Sequence, residues 1–210
     1  MNHLRQLAIG AALAVASLGA YAQNYSFSCI TNNLSADCST GEAQFGMTVS
    51  DGGSVVNFLF TNTGALASSI TDIYFDWSSS AYALTAGTLT ASAGVVFEWG
   101  ASPADLPGGN SILFSSDLSS QSTPPPQPSG VNPGEWLNIA FSGSYANLLT
   151  GLNSSGLRVG LHTQGYQGGG SESFVNVPAI PEPETYAMLI AGLGLMAFVA
   201  RRRQRNLAAA

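Results

Sequence analysis

The sequence predicts an all-β domain over residues 23–177, an antiparallel β-sandwich or jelly roll, with short apolar segments at both ends of the chain. Three observations support this prediction. Apolar and polar residues alternate with a period of two in several short runs, and Gly-, Ser- and Asn-rich turns separate these runs at regular spacing. Residues 23–177 are also rich in Ser, Thr, Gly and Asn; the whole 210-residue chain is only 9% charged, against about 25% in a typical soluble domain.

The clearest element is a hairpin. Residues 45–50 and 56–61 alternate in polarity on either side of the turn Asp51-Gly52-Gly53, and glycine adopts the positive φ that such turns require. Residues 72–77 alternate in the same way and predict a third strand. The remaining strand candidates are residues 25–29, 82–90, 94–99, 111–115, 136–142, 157–163 and 173–177.

Two segments depart from the strand pattern. Residues 144–152 predict one or two turns of helix. Residues 119–133 contain five prolines, so we expect an unpaired surface loop there. Each side of this loop alone offers too few strands for a core, which favours an insertion within one domain over a domain boundary.

The N-terminus resembles a secretory signal peptide over residues 1–22. A weakly basic start precedes a 12-residue apolar run, and Ala20-Tyr21-Ala22 supplies the small residues that signal peptidase accepts, with cleavage before Gln23. The alternative is an uncleaved membrane anchor, but the run is short of the roughly 20 residues that a span needs.

Cys29 and Cys38 are the only cysteines of the chain. An even cysteine count in an exported protein favours a disulfide, which would hold the first strand in place. A metal pair and free thiols are the alternatives. Two cysteines without a neighbouring His make a poor zinc site, so we expect a structural disulfide, no metal and no cofactor.

The C-terminus predicts a second membrane segment. Residues 185–200 carry no charge and are followed by Arg201, Arg202, Arg203 and Arg205. Basic flanks remain on the cytoplasmic side, so the preceding domain would face the periplasm from the inner membrane. Burial of this helix in a soluble core is the alternative, but the adjacent arginines could not be buried with it.

A proline-rich stalk precedes this helix and includes Pro181, Glu182 and Pro183. Its prolines exclude strand and helix interiors and favour an extended segment. The order Pro-Glu-Pro, short apolar helix and Arg cluster over residues 178–207 resembles the PEP-CTERM sorting signal of Gram-negative bacteria. The resemblance implies that Pro181, Glu182 and Pro183 are recognised by a membrane-embedded exosortase. That enzyme would remove the tail and release the domain to the envelope or the exterior. The segment is also named after an ice-binding protein, which is not evidence for ice binding here.

Charge excludes several functions of the delivered domain. Residues 23–180 contain one basic residue, Arg158, against ten acidic residues, a net charge of −9. No basic patch can therefore neutralise phosphates, which excludes nucleic-acid binding of that kind. The chain contains no Lys, which excludes lysine-based catalysis.

Candidate catalytic residues are few. His162 and Arg158 are predicted to share the solvent face of one strand, and His162 is the only histidine there available to a Ser-His-Asp triad. Glutamates could form a hydrolase pair, and aspartates could bind calcium, but no D-x-D-x-D-G loop and no G-x-S-x-G motif occurs. We therefore expect no enzymatic activity. These acidic candidates are Glu98, Glu135, Glu172, Asp51, Asp72, Asp76, Asp105 and Asp117.

Three functional hypotheses remain. The first is an envelope or extracellular structural or interaction protein, which the family resemblance links to exopolysaccharide and biofilm matrix. The second is a carbohydrate-binding module, which needs an exposed row of aromatic residues. The third is an ice-binding or hydrolytic domain, although threonines such as Thr61 and Thr90 look isolated in the sequence. The aromatic candidates are Tyr74, Tyr82, Trp99, Trp136 and Tyr166.

Overall fold

The computed structural model describes residues 22–178, 190–194 and 196. The described chain is mostly β, as predicted, with ten antiparallel strands. They are β1 (Ala22–Cys29), β2 (Phe45–Asp51), β3 (Val55–Asn62), β4 (Ser69–Trp77), β5 (Thr88–Ala91), β6 (Phe97–Trp99), β7 (Leu118–Ser122), β8 (Trp136–Ser142), β9 (Leu157–Gln164) and β10 (Glu172–Asn176).

All ten strands belong to one continuous sheet, in the order β5-β8-β3-β2-β1-β10-β9-β4-β7-β6. The two separate sheets of a sandwich are therefore not formed. The reason is that β1 pairs on both sides: residues 22–26 pair with β2, and residues 27–29 pair with β10. We call β5, β8, β3, β2 and β1 the five-strand half, and β1, β10, β9, β4, β7 and β6 the six-strand half.

The core lies between the two halves. Phe75 of β4 packs edge-to-face against Phe58 of β3 and Phe141 of β8, with ring centroids 6.0 and 5.1 Å apart. All three rings are fully buried. Edge-to-face aromatic pairs add about 0.5–1.5 kcal/mol beyond the burial of their area, so this cluster joins the two halves of the sheet.

The outer ends of the sheet also approach each other. The indole N–H of Trp99, at the end of β6, donates to the carbonyl of Gly87, which directly precedes β5, at 3.2 Å. The fold is therefore close to a closed barrel, an arrangement that protects sheet edges from pairing with other chains.

Three α-helices accompany the sheet: α1 (Ser35–Gln44), α2 (Pro126–Ser129) and α3 (Tyr145–Asn153). Helix α3 confirms the prediction for residues 144–152; the Ser144 hydroxyl caps it by accepting the Asn147 N–H. Helix α1 has a polar sequence without apolar periodicity and was not predicted. It packs so closely on β10 that a Cβ at Gly41 would overlap the Phe174 ring.

Several sequence predictions were wrong. Residues 111–115 form no strand, because Gly109–Ile112 is a 3-10 turn and Leu113 has a φ of 55°. Of residues 82–90, only the end belongs to β5. Residues 119–133 are not an unpaired loop: β7 pairs with both β4 and β6, and Val131 is buried against Ile70. The prolines are confined to the short segment after β7.

The two ends of the chain lie largely outside the described residues. Ala20 is outside them, whereas Ala22 and Gln23 are the first residues of β1, paired with Ser50 and Val49. Of the predicted membrane helix 185–200, residues 190–194 and 196 are described and are helical. No helix within the described residues is long and apolar enough to cross a membrane.

Candidate functional site

The outer face of the five-strand half carries a shallow groove of about 500 Å³. Outward-pointing side chains alternate with the buried core residues of β3 and β8, and cross-strand pairing brings them together. We call this feature the Trp136 groove. It is lined by Trp136 and Asn138 of β8, Asn57, Leu59 and Thr61 of β3, Ser50 of β2 and Thr90 of β5.

Strand register places these side chains in three rows. Thr61 lies opposite Trp136 in the first row, Leu59 and Thr90 lie on either side of Asn138 in the second, and Ser50 lies opposite Asn57 in the third. Neighbouring strands are about 4.7–4.9 Å apart, so each row presents side chains at a nearly constant interval. Thr61 and Thr90, which look isolated in the sequence, thus belong to one surface.

Trp136 is fixed at the margin of the groove by Ser92. The Trp136 backbone N–H donates to the Ser92 hydroxyl at 3.0 Å, and the Trp136 carbonyl accepts the Ser92 N–H at 3.0 Å. The side chain is 39% exposed. A large aromatic surface is therefore presented to solvent on a rigid backbone.

Trp136 is the only aromatic candidate that the structure leaves exposed among those proposed from the sequence. Tyr74 and Tyr166 are buried, and Tyr82 and Trp99 pack partly against the core. Burial raises the pKa of Tyr74 and of Tyr166 well above its usual value. The expected row of exposed aromatics is not formed, because Leu106 and Phe114 cover Tyr74, and Tyr82, Trp99 and Tyr166 pack against the main core.

Arg158 does not face solvent freely, contrary to the prediction. Its guanidinium pairs with Asp76 on the adjacent β4 and donates to the carbonyls of Ile112 and Leu113, at 2.8 and 2.5 Å. It also stacks over the Phe114 ring, 5.1 Å from the centroid. Arg158 therefore attaches the segment after β6 to the outer face of the six-strand half.

His162 lies in a row that sequence analysis missed. Register pairs His162 of β9 with Ser173 of β10 on one side and with Asp72 of β4 on the other. The His162 Nδ1 is 3.3 Å from the Ser173 hydroxyl. A Ser-His-Asp set thus spans three strands, and it is invisible in the sequence because its members are far apart along the chain.

This row lacks the geometry of a catalytic triad. Ser173 is fully buried, the hydroxyl faces Nδ1, and Asp72 accepts its hydrogen bond from Thr71 at 2.8 Å. Burial raises the pKa of Asp72 to about 6 and lowers the pKa of His162. A triad instead needs an accessible serine at Nε2 and an ionised carboxylate at Nδ1.

The candidate glutamates each serve local structure. Glu98 accepts the Gln121 side-chain amide at 3.0 Å, and Glu135 accepts the Asn132 backbone N–H at 2.9 Å. Glu172 is buried and accepts the N–H groups of Asn33 and Leu34 and the Thr31 hydroxyl. No two of these glutamates share a hydrogen-bonding partner within residues 22–178.

Most of the candidate calcium aspartates are likewise engaged by neighbouring groups. Asp51 accepts the Gly53 N–H, Asp105 the Ser116 N–H and Asp117 the Trp77 N–H. Cys29, Cys38 and Glu172 are the one group in the described part of the chain with metal-ligand spacing. The two sulfurs form a disulfide, with Cα atoms 5.4 Å apart, and so offer no thiolate ligands.

A second depression, of about 430 Å³, lies between the start of α1 and the loop after β9. Leu34 and Leu66 form its apolar rim, and both are about half exposed. Asp37 lines it, and the Asp37 Oδ2 is buried without a hydrogen-bond partner among the described residues. This oxygen lies against Gly170, where a Cβ would come within 2.6 Å of it.

The sorting residues Pro181, Glu182 and Pro183 and the Arg cluster Arg201, Arg202, Arg203 and Arg205 lie outside the described residues. Residues 179–203 match the model of the PEP-CTERM protein-sorting motif. This chain carries a PEP-CTERM sorting signal. The match contains Pro181, Glu182, Pro183 and the first three arginines, and it ends two residues before Arg205.

The PEP-CTERM signal implies that the protein is exported, processed by an exosortase and sorted in association with the envelope. The match covers the C-terminal tail and says nothing of the domain that precedes it. Comparison of the chain with curated proteins and with solved structures gave no match.

Proposed function

We propose that residues 23–177 form a non-catalytic structural or interaction module, which the PEP-CTERM signal delivers to the envelope and the exopolysaccharide matrix. In this proposal the chain is first held in the inner membrane by residues 185–200, facing the periplasm, after signal peptidase has cut before Gln23. Exosortase then removes the tail. The observation that carries the proposal is the match of residues 179–203 to the sorting motif.

The composition of the domain supports a role outside the cell. Ten acidic residues against Arg158 give it a net charge of −9, which favours solubility and disfavours non-specific association with other anionic surfaces. The disulfide between Cys29 and Cys38 suits an oxidising compartment. Both features fit a secreted module.

The proposal that the module is not an enzyme draws on its polar side chains. The best geometric candidate for hydrolysis, Ser173 with His162 and Asp72, has a fully buried serine. Glu98, Glu135 and Glu172 each accept hydrogen bonds from groups close to their own strands. These contacts use the carboxylates to fix loops rather than to face a substrate.

Carbohydrate binding is the second candidate function. One observation favours it: Trp136 projects into an uncharged groove lined by amide and hydroxyl side chains. Aromatic rings with one polar edge are well suited to partly wet binding surfaces. Such binding would give the delivered module a direct way to associate with a polysaccharide matrix.

The delivery step is tested by replacing Pro181, Glu182 and Pro183 with alanine in the native host. Mass spectrometry of the mature protein and fractionation with an antibody against the domain provide the readouts. We expect the unaltered protein to lack the tail through Arg205 and to occur in the exopolysaccharide fraction. The variant should keep the tail and remain with the membrane.

A Gln204→Ala variant is the matched control, because residue 204 lies beyond the matched segment 179–203, and it should behave like the unaltered protein. If the tail persists equally in all three proteins and their location is the same, the proposed delivery is wrong. If the tail is lost but the protein is absent from the exopolysaccharide fraction, delivery stands and the matrix role fails.

A further inference from the structure

We propose that the Trp136 groove binds a neutral polysaccharide chain, which stacks on the Trp136 indole and hydrogen-bonds to Asn57 and Asn138. This inference rests on the proposed function, in that a delivered module must meet a glycan outside the cell. It goes further by naming the binding surface, the residues in contact and the class of glycan.

The position of the Trp136 indole favours stacking of a sugar on it. Trp136 begins β8 with 39% of its surface exposed, whereas Trp99 packs against Phe141 in the core. Two backbone hydrogen bonds to Ser92 hold the residue in place. An exposed indole on a rigid strand loses little conformational entropy when a flat apolar sugar face covers it.

The side chains of Asn57 and Asn138 have unused hydrogen-bonding capacity beside the ring. The Asn138 side-chain N–H donates to the side-chain oxygen Oδ1 of Asn57 at 3.2 Å. Within the described residues, no hydrogen bond occupies the side-chain N–H groups of Asn57 or the side-chain oxygen of Asn138. The pair therefore presents fixed donors and an acceptor together, which is the combination that sugar hydroxyls require.

The charge of the groove and of the surrounding domain determines the class of glycan. No charged side chain lines the groove. The nearest acidic groups along the strands are occupied: Asp51 accepts the Gly53 N–H, and Glu135 accepts the Asn132 N–H. The net charge of −9 over residues 23–180 repels anionic polymers, including uronate-rich polysaccharides.

The shape of the groove favours a chain over a single small molecule. Its side chains come from the four consecutive strands β5, β8, β3 and β2, so it runs across the sheet rather than ending in a closed cavity. With strands about 4.7–4.9 Å apart, a ligand that spans the groove covers about 14 Å of the sheet. A polymer with repeated hydroxyl groups can contact successive strands in this way.

Affinity electrophoresis of the full-length protein, purified in detergent, tests the proposal. Native gels contain dextran, mannan, galactomannan or mixed-linkage β-glucan as neutral probes and alginate as the acidic probe. We expect at least one neutral polysaccharide, but not alginate, to retard the protein. Trp136→Ala should weaken that interaction at least 10-fold, and Asn138→Ala should weaken it several-fold.

Two variants separate lost contacts from lost folding. Trp136→Phe keeps an aromatic face and should retain more binding than Trp136→Ala, whereas Leu113→Ala alters a side chain that is 86% exposed elsewhere and should bind normally. Circular dichroism checks each variant. Absence of retardation by all four neutral probes, retardation by alginate alone, or equal binding by Trp136→Ala and the unaltered protein overturns the proposal.

These outcomes are distinct from failure of the proposed delivery. The gel reports the groove in a protein that keeps its sorting signal, and the Pro181-Glu182-Pro183 variant reports processing in cells. A protein that is sorted normally and binds no neutral glycan would retain its proposed delivery and lose this site.

Discussion

The carboxylate of Glu172 accepts the backbone N–H of Leu34 at 2.6 Å, across 138 residues of sequence. The same buried side chain accepts the N–H of Asn33 at 3.0 Å and the hydroxyl of Thr31. Glu172 thus joins the first residue of β10 to the segment between β1 and helix α1, which lies within the disulfide loop. Hydrogen bonds to an ionised acceptor are roughly twice as strong as neutral ones.

We therefore predict that Glu172→Gln lowers the free energy of unfolding by about 1–3 kcal/mol, because an amide N–H2 would replace one acceptor in front of backbone donors. Urea unfolding measures the loss. Glu42→Gln is the matched control: Glu42 accepts one backbone N–H, that of Cys29, at an exposed site, so its effect should be below about 1 kcal/mol. Equal effects of the two variants would contradict the role given to Glu172.

We predict that loss of the disulfide also lowers the stability of the domain. Cys29 and Cys38 close a short loop, with a sequence separation of nine residues. Replacing both by serine should cost about 2–3 kcal/mol in the chain-entropy model. Urea midpoints of the double variant and of the unaltered protein with and without dithiothreitol measure this cost. Reductant should lower the midpoint of the unaltered protein and leave that of the variant unchanged; an unchanged midpoint in both would refute the prediction.

We predict that Asp72 makes the stability of the domain depend on pH. Burial raises the pKa of this carboxyl to about 6 from an ordinary value of 3.8, so between about pH 4 and pH 6 the folded state binds more protons than the unfolded state. Its contribution to stability therefore falls as pH rises through this window. Asp72→Asn should raise the urea midpoint at pH 7.5 and have little effect at pH 4.

Thr71→Val provides a control for the Asp72 prediction. The Thr71 hydroxyl donates to Asp72 at 2.8 Å and lowers the pKa of the carboxyl. Its loss should therefore move the fall in stability to higher pH without removing it. An Asp72→Asn effect of the same size at pH 4 and pH 7.5 would show that titration of Asp72 is not its cause.

We predict that Arg158 protects the segment around Leu113 and Phe114 from proteolysis. Its guanidinium holds the carbonyls of Ile112 and Leu113 as well as Asp76. Arg158→Met should leave the domain folded but speed chymotrypsin cleavage near Leu113 and Phe114 several-fold, because local opening becomes easier. Arg158→Lys should be intermediate, since an ammonium cannot reproduce the planar fork of the guanidinium. Equal cleavage rates in all three proteins would rule out this attachment.

Local alternation was sufficient for the best-predicted elements. The hairpin of β2 and β3 follows from alternating polarity around a glycine turn, and the prediction for residues 136–142 coincides with β8. In each case one face of the strand is buried and the other is exposed, so the period of two is visible in the sequence.

Non-local pairing explains the elements that were missed. The polar strand β7 exists because β4 and β6 pair with it on either side. Strand β4 is buried on both faces, since Tyr74 packs with Leu106 and Phe114 on the side away from the main core. The alternation of apolar and polar residues in β4 therefore suggested that one face is exposed to solvent. In the structure, a later segment of the chain covers that face.

The sequence alone determined where this protein is directed, because a sorting signal is a contiguous segment whose order of proline motif, apolar run and arginines is read along the chain. The alternating runs determined an all-β domain for the same reason. Only the tertiary structure decided which polar groups meet: Ser173 with His162, Glu172 with the backbone N–H of Leu34, and Asn138 with Asn57. These contacts depend on strand order and register, which long-range pairing fixes and no local pattern encodes.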